Sequence, residues 1–129
     1  MRIEHVGYQV ADPHAVAEWY AAHLGFQLRR AQPEPPYTTF MADASGQVLI
    51  EFYANPTAPI PAYGEQNPLV LHLAFSVDDV PAERDRLLAA GATLAEEARS
   101  LPNGDMICML RDPFGFAIQV VTRATPMAS

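Results

Sequence analysis

Four polar residues of this 129-residue chain have side chains of types that can bind divalent metal ions, and they occur as two copies of one pattern. His5 opens an apolar stretch and Glu51 lies in a later one, and His72 and Gln119 repeat this arrangement. The histidines are 67 positions apart, and Glu51 and Gln119 are 68 apart. Such a near-constant offset indicates an internal repeat. Two imidazoles, a carboxylate and an amide oxygen would together suit a divalent metal ion.

Each copy of the pattern also contains a helix signal at the same relative place. Asp12 precedes Pro13, which is typical of a helix N-cap followed by proline at the first helical position. Gly25 then supplies a stop signal. Asp79 follows Asp12 by 67 positions, and Gly91 ends the second predicted helix. We therefore expect two equivalent helices, each one following a strand that carries a histidine.

Strand signals surround both helices. Apolar stretches predict two opening strands, at 3–10 and 70–77, and six further strands at 27–31, 37–43, 47–54, 93–97, 105–111 and 116–122. The length fits a single domain. We divide this domain into a first module (1–54), a linker rich in proline (55–68), a second module (69–123) and a tail (124–129).

The two-residue period of a strand decides which side chains share a face. The first strand has a polar face and an apolar, helix-facing one: His5, Gly7 and Gln9 against Val6, Tyr8 and Val10. By the same alternation, Glu51, His72 and Gln119 point to the side of their sheets that no helix covers. Most of their neighbours on that side are small or apolar, so we expect a partly closed cavity there. A carboxylate in such a place needs a hydrogen-bonded partner, a cation or a raised pKa.

Composition excludes several classes of function. The formal net charge of −7 opposes binding to nucleic acids and to anionic membranes, which both need a basic surface. No apolar run approaches the roughly 18 residues of a membrane span, and the N-terminus lacks a signal-peptide pattern. We therefore expect a soluble, cytoplasmic protein. The single cysteine, Cys108, cannot form a disulfide within the chain, and its apolar neighbours predict a packed thiol.

Other side chains with chemical potential have simpler interpretations. His14 lies in the first turn of the first helix and is expected to be solvated, whereas His23 is expected to be a half-buried packing residue. Three tyrosines and one methionine would either line a pocket or belong to the core: Tyr37, Tyr53, Tyr63 and Met109.

The doubled unit resembles the vicinal oxygen chelate superfamily, which includes glyoxalase I, bleomycin-resistance proteins and extradiol dioxygenases. The resemblance rests on His5 and His72 in opening strands, Glu51 in a closing strand, and the turn at 111–115 before Gln119. It covers nearly the whole chain and is closest to the small glyoxalase-like members.

The resemblance implies an α+β fold of two paired βαβββ modules, whose mixed sheets curl around a cavity. This cavity is often completed across a homodimer, in which one chain's first module closes on the second module of its twin. In glyoxalase-type members, the positions that match His5, Glu51, His72 and Gln119 bind a divalent metal ion, and one glutamate also moves the substrate proton. The ion would be Ni²⁺, Zn²⁺, Mn²⁺ or iron, and here Glu51 would be the catalytic carboxylate.

Gln119 departs from the pattern of glyoxalase I and extradiol dioxygenases, which usually have glutamate at this closing position. An amide oxygen binds a metal, but an amide cannot accept a proton from carbon. Two hypotheses with a small-molecule ligand therefore stay open: a metal-dependent lyase or isomerase acting on a small carbonyl compound, and a metal-free binding protein of the bleomycin-resistance type. A ring-cleaving dioxygenase is a third alternative.

Overall fold

The computed structural model describes residues 1–127 of the protein. The chain divides into two compact units, Met1–Pro61 and a second unit that starts at Ala62. The division falls inside the predicted linker, 55–68. No helix among the described residues is long and apolar enough to cross a membrane. Residues 128–129 of the predicted tail lie outside the described part.

The first unit contains one helix and one four-stranded sheet. Its elements in chain order are β1 (His5–Gln9), α1 (Pro13–Leu24), β2 (Gln27–Ala31), β3 (Thr39–Ala42) and β4 (Leu49–Tyr53). The strand order in the sheet is β1-β4-β3-β2. Strand β1 runs parallel to β4, while the other neighbours are antiparallel.

The second unit repeats this order after a short 3-10 helix at Tyr63–Glu65. Its elements are β5 (Leu73–Ser76), α2 (Val80–Ala89), β6 (Thr93–Ser100), β7 (Met106–Arg111) and β8 (Ala117–Thr122). The strand order is β5-β8-β7-β6, again with only the first pair parallel. The predicted α+β fold of two βαβββ modules with mixed sheets is therefore confirmed.

The predicted helix starts are confirmed in both units, and so is the end of α1, whereas α2 ends at Ala89 with Ala90 as its C-cap, one residue before the predicted Gly91. The Asp12 carboxylate accepts a hydrogen bond from the backbone N–H of Ala15 at 3.1 Å, and Gly25 ends α1 with a φ of 71°. The Asp79 carboxylate caps α2 in the same way, 2.9 Å from the N–H of Ala82. These side chains satisfy amide groups that have no partner inside the helix.

The core of each unit lies between its helix and its sheet. In the first unit, Tyr20 of α1 and Phe52 of β4 are fully buried, and their rings meet edge to face at 5.2 Å. The prediction that Val6 packs under the helix is wrong, since Val6 is 50% exposed. The reason is that α1 packs against β2, β3 and β4 and leaves the start of the outer strand β1 uncovered.

Gln9 lies at the end of β1, two residues after Gly7. Its side chain is buried because the segment after β4 closes over it. The amide accepts a hydrogen bond from the N–H of Asn55 at 2.9 Å and donates to the carbonyl of Ala58 at 2.8 Å. Gln9 therefore fastens this segment to β1.

Candidate functional site

His5 and Glu51 form the first predicted pair, and the structure brings them together. The imidazole Nε2 of His5 lies 3.0 Å from Oε2 of Glu51, with the two side chains 36% and 19% exposed. His5 stands opposite Leu49 in the parallel pairing of β1 with β4, and Gly7 stands opposite Glu51. The pair is thus a diagonal contact on the face that α1 does not cover.

Gly7 provides the space that the Glu51 carboxylate occupies. A β-carbon at position 7 would lie 2.9 Å from Oε2 of Glu51 and 3.1 Å from Cε1 of Tyr53. Real β-carbons do not approach other atoms so closely, so any larger residue would displace the carboxylate. Glycine within a strand weakens the strand and often marks a close approach of other groups.

The second ring nitrogen of His5 is held by Glu4, whose carboxylate is hydrogen-bonded to Nδ1. Phe40 of β3 contacts the same imidazole edge to face, with ring centroids 5.4 Å apart. The hydrogen bond with Glu4 raises the pKa of His5 above its ordinary value, and the charges of Glu4 and Glu51 add to this effect against the opposing effect of burial. Two carboxylates therefore stabilise the protonated form of this histidine.

His72 and Gln119 form the corresponding pair in the second unit. Gln119 stands opposite Ala74 in the parallel pairing of β5 with β8, just as Glu51 stands opposite Gly7. Both His72 and Gln119 are half-buried. The repeat thus extends from the sequence to the register of the strands.

The predicted position of His72 inside a strand is wrong, because β5 begins one residue later, at Leu73. A turn precedes the strand, in which the N–H of Val70 donates to the carbonyl of Asn67 at 2.9 Å. This turn brings the carbonyl of Pro68 to 2.9 Å from Nδ1 of His72. An Nδ1–H that donates to this carbonyl leaves the lone pair on Nε2, as in many histidines that bind metals.

The two pairs differ in how tightly they are joined. No hydrogen bond links His72 to Gln119 within the described part of the chain, and the position equivalent to Gly7 is filled by the methyl group of Ala74. Among residues 1–127, no three His, Cys, Asp or Glu side chains form a group that could hold a metal ion. Each unit therefore presents two candidate donor side chains.

Clefts border the candidate residues in both units. One in the first unit, about 130 Å³ in volume, is lined by Phe40 and Leu49 together with charged side chains. One in the second unit has a volume of about 440 Å³, and Ala74, Ser76 and Val121 are among the residues that line it. Ala74 is the register partner of Gln119.

The interpretations of Cys108, His14 and His23 as residues outside the site agree with the structure. Cys108 is 1% exposed, and burial raises the pKa of its thiol. His14 is exposed. His23 is half-buried and packs against Trp19, with ring centroids 5.3 Å apart.

Glu4 and Phe40 were missed by the reasoning from sequence. Strand alternation places neighbouring residues on opposite faces, so Glu4 would point away from His5 if both belonged to the strand. However, β1 begins only at His5, and Glu4 precedes it. Phe40 could be found only from its pairing with Glu51 between β3 and β4, and this pairing is known only once the register of the two strands is known.

Comparison with known protein families decides which family the chain belongs to. The family model of the Glyoxalase/Bleomycin resistance protein/Dioxygenase superfamily matches residues 2–120. This chain belongs to that superfamily. The match spans both units and contains all four candidate residues, so the resemblance inferred from the sequence is confirmed.

Relatives and solved structures of the superfamily cover most of the chain. The ethylmalonyl-CoA/methylmalonyl-CoA epimerase of Cereibacter sphaeroides is 31% identical over 96 residues, which represent 70% of this chain and 72% of that protein. The lactoylglutathione lyase of Haemophilus influenzae is 26% identical over 125 residues, with 94% and 92% coverage. A glyoxalase family protein from Bacillus cereus superposes with a TM-score of 0.78 at 21% identity, covering 95% of this chain and 93% of that one.

Proposed function

We propose that this superfamily member is a metal-dependent lyase or isomerase that acts on a small carbonyl compound. The observation that carries the proposal is the contact between His5 and Glu51, at 3.0 Å on the face that the helix leaves free. A carboxylate and an imidazole at this separation offer a hard and a borderline donor to the same cation.

The chemical types of the four candidate donors suit a divalent ion. His5, Glu51, His72 and Gln119 would hold it, and each histidine has a hydrogen-bond acceptor at Nδ1 that leaves Nε2 for the metal. A divalent ion held by a single carboxylate would keep a net positive charge. When bound, it would supply a Lewis acid that polarises a carbonyl oxygen of the substrate. The residues support Ni²⁺, Zn²⁺, Mn²⁺ or iron equally.

Glu51 is the residue that would move a proton in this site. It would accept a proton from a carbon next to the carbonyl group and return it to the same or the neighbouring carbon. Gln119 cannot take this part because an amide is not a base. The name of the epimerase relative describes inversion of a stereocentre, which for such a carbon requires one proton to leave and one to return.

A second candidate function is a metal-free small-ligand-binding protein of the bleomycin-resistance type. Gln119 favours this alternative, because it stands where the first unit has Glu51 and adds no negative charge for a cation. In that case, the side chains of His5 and Glu51 would form hydrogen bonds with the ligand directly. Binding of metal ions separates the two candidates.

The active form of the protein would be a homodimer. Strands β1 and β5 are outer strands of their sheets, so each has one edge without a neighbour in its own sheet. Apolar side chains are exposed there: Val6 on β1 is 50% exposed, and Leu69 and Val70, which precede β5, are 79% and 72% exposed. Exposed apolar edges of this kind favour association with another chain.

The proposed activity is tested with the hemithioacetal that forms from methylglyoxal and glutathione. Tag-free protein loaded with Ni²⁺ or Zn²⁺ should convert this hemithioacetal to the thioester. The ultraviolet absorbance of the thioester measures the rate. Glu51→Gln should abolish turnover because the base is lost, while Glu18→Gln on the exposed side of α1 should leave it unchanged. Equal rates in the Glu51→Gln and wild-type proteins would contradict the proposal.

A further inference from the structure

The arginines of the first unit differ from those of the second in their partners. In the second unit, Arg84, Arg86 and Arg123 form ion pairs with N–O distances of 2.6 to 2.7 Å. Arg99 has a weaker pair at 4.0 Å, and Arg111 donates to three backbone carbonyls. Each of these five guanidinium groups therefore has at least one carboxylate or carbonyl partner within the unit.

The first unit has three arginines, and all of them lack such partners. Among residues 1–127, no carboxylate lies within ion-pair distance of Arg2, Arg29 or Arg30, and none of the three donates a hydrogen bond to a carbonyl. A group of cations without counterions is notable in a chain with a net charge of −7. These three arginines line clefts on one side of the unit.

The clefts are lined by neighbours of the His5–Glu51 pair. One has a volume of about 800 Å³ and is lined by Arg2 and Arg29, among other residues. The smaller one, about 130 Å³, adds Arg30 and Phe40. Phe40 contacts the His5 ring, and Leu49, which lines both clefts, is the register partner of His5.

A β-bulge in β2 directs two of the arginines to this side. The pairing of β2 with β3 shifts register between Leu28 and Arg30, so that Arg29 is the additional residue. Arg30 pairs with Phe40 and therefore shares its face. Without the bulge, adjacent residues would point to opposite faces, but here both Arg29 and Arg30 line the same cleft. Bulges often redirect a side chain next to a functional site.

The charge in the cleft favours an anion. Glu4 is the one carboxylate that lines either of these two clefts, and it is hydrogen-bonded to His5. Three guanidinium groups therefore face one carboxylate that already has a partner. A guanidinium group presents a planar pair of N–H donors that matches the two oxygens of a carboxylate or phosphate.

We propose that the smaller cleft binds an oxyanion, a carboxylate or phosphate group, of the substrate through Arg29 and Arg30, with Arg2 of the larger cleft adding positive charge. The inference rests on the proposed function and deepens it, because it makes the substrate an anionic carbonyl compound. The anionic group would be held beside the His5–Glu51 pair while the carbonyl end reaches Glu51.

The test uses malonate as a carboxylate probe, inorganic pyrophosphate as a phosphate probe and neutral malonamide as the control, at constant ionic strength. Binding is followed by NMR of ¹⁵N-labelled full-length protein, through the Nε–H signals of the arginines and the amides of residues 46–49. We expect saturable shifts with at least one anion and none with malonamide. The anion that binds more tightly identifies the group.

Variants decide whether the arginines of the cleft are responsible. Arg29→Gln/Arg30→Gln should weaken anion binding by about tenfold or more, since a charge-assisted bidentate contact is lost. Arg29→Lys, which keeps the charge and loses the fork, should have an intermediate effect. Arg99→Gln on β6 removes a cation in the second unit and should leave binding unchanged. The amide spectrum of each variant verifies its fold.

Two results would overturn the inference: no saturable shift with either anion in the wild-type protein, or equal affinity in wild type and Arg29→Gln/Arg30→Gln. Zn²⁺ binding by the same samples distinguishes this failure from that of the proposed function. Anion binding without Zn²⁺ binding would leave the cleft assigned and reject the metal-dependent enzyme. Zn²⁺ binding without anion binding would reject the anion site and leave the proposed metal-dependent function standing.

Discussion

Gly7 and Glu51 stand opposite each other in the pairing of β1 with β4, and a β-carbon on Gly7 would lie 2.9 Å from Oε2 of Glu51. The carboxylate reaches His5 only because position 7 has no side chain. The equivalent position in the second unit is Ala74, which faces Gln119. The two units therefore share a register but differ in the space beside their closing residue.

Gly7→Ala should separate Glu51 from His5 and weaken metal binding by about 10- to 100-fold, the effect typical of disturbing the support of a ligand. The fold should remain, because the obstructing atoms belong to side chains that can move. Gly64→Ala is a matched control, since its β-carbon would meet Gly115 at an ordinary 3.7 Å. Isothermal titration with Zn²⁺ measures the effect, and equal affinities of Gly7→Ala and wild type would refute this role of Gly7.

Metal affinity should fall as the pH decreases. This fall should begin at a higher pH than it does for a histidine ligand with an ordinary pKa. The hydrogen bond with Glu4 raises the pKa of His5, so protons compete with the metal at or above pH 6.5, the ordinary value. For the stability of the metal-free protein the direction is opposite: the ion pairs of protonated His5 stabilise the fold below pH 6.5, and this contribution is lost as the pH rises through the raised pKa.

Glu4→Gln tests this cause. Loss of the Glu4 charge should lower the pKa of His5 and move the pH profile of Zn²⁺ binding to lower pH. NMR titration of the His5 ring protons in metal-free protein gives the pKa directly. An unchanged His5 pKa in the variant would show that Glu4 does not act on the imidazole.

The protein should be a homodimer at micromolar concentration, measured by light scattering. Val6→Glu places a charge on the exposed edge of β1 and should shift the equilibrium towards the monomer. Ala22→Glu, on an exposed position of α1, is the control and should leave the mass unchanged. A wild-type mass near the 14.1 kDa of one chain would contradict the dimer.

The elements of the fold could be predicted from local signals, and the details of the site could not. Asp12 and Gly25 determine a helix through caps that act within a few residues, so both ends of α1 follow from the sequence. The place of His72 depends on the turn at Asn67–Val70, and that of Arg29 on a bulge between two strands. The bulge arises from the pairing of two strands and the turn from irregular local backbone, and strand period alone encodes neither.

The role of Gln119 is tested by Gln119→Glu, which gives the second unit the closing residue of the first. If the site holds a metal, an added carboxylate should raise metal affinity by about 10- to 100-fold. The melting temperature should then increase when Ni²⁺, Zn²⁺ or Mn²⁺ is added. If the cavity is metal-free, the second carboxylate should destabilise the protein, and metal ions should not restore its stability.

Metal content is the most direct test of the proposed centre. Elemental analysis of tag-free protein, after incubation with Zn²⁺ or Ni²⁺ and removal of the excess, should find bound metal in the wild type. His5→Ala and His72→Ala should each lose most of it, whereas His14→Ala, which changes an exposed histidine, should retain it. Equal metal content in the wild type, His5→Ala and His72→Ala would contradict the assignment of these residues as ligands.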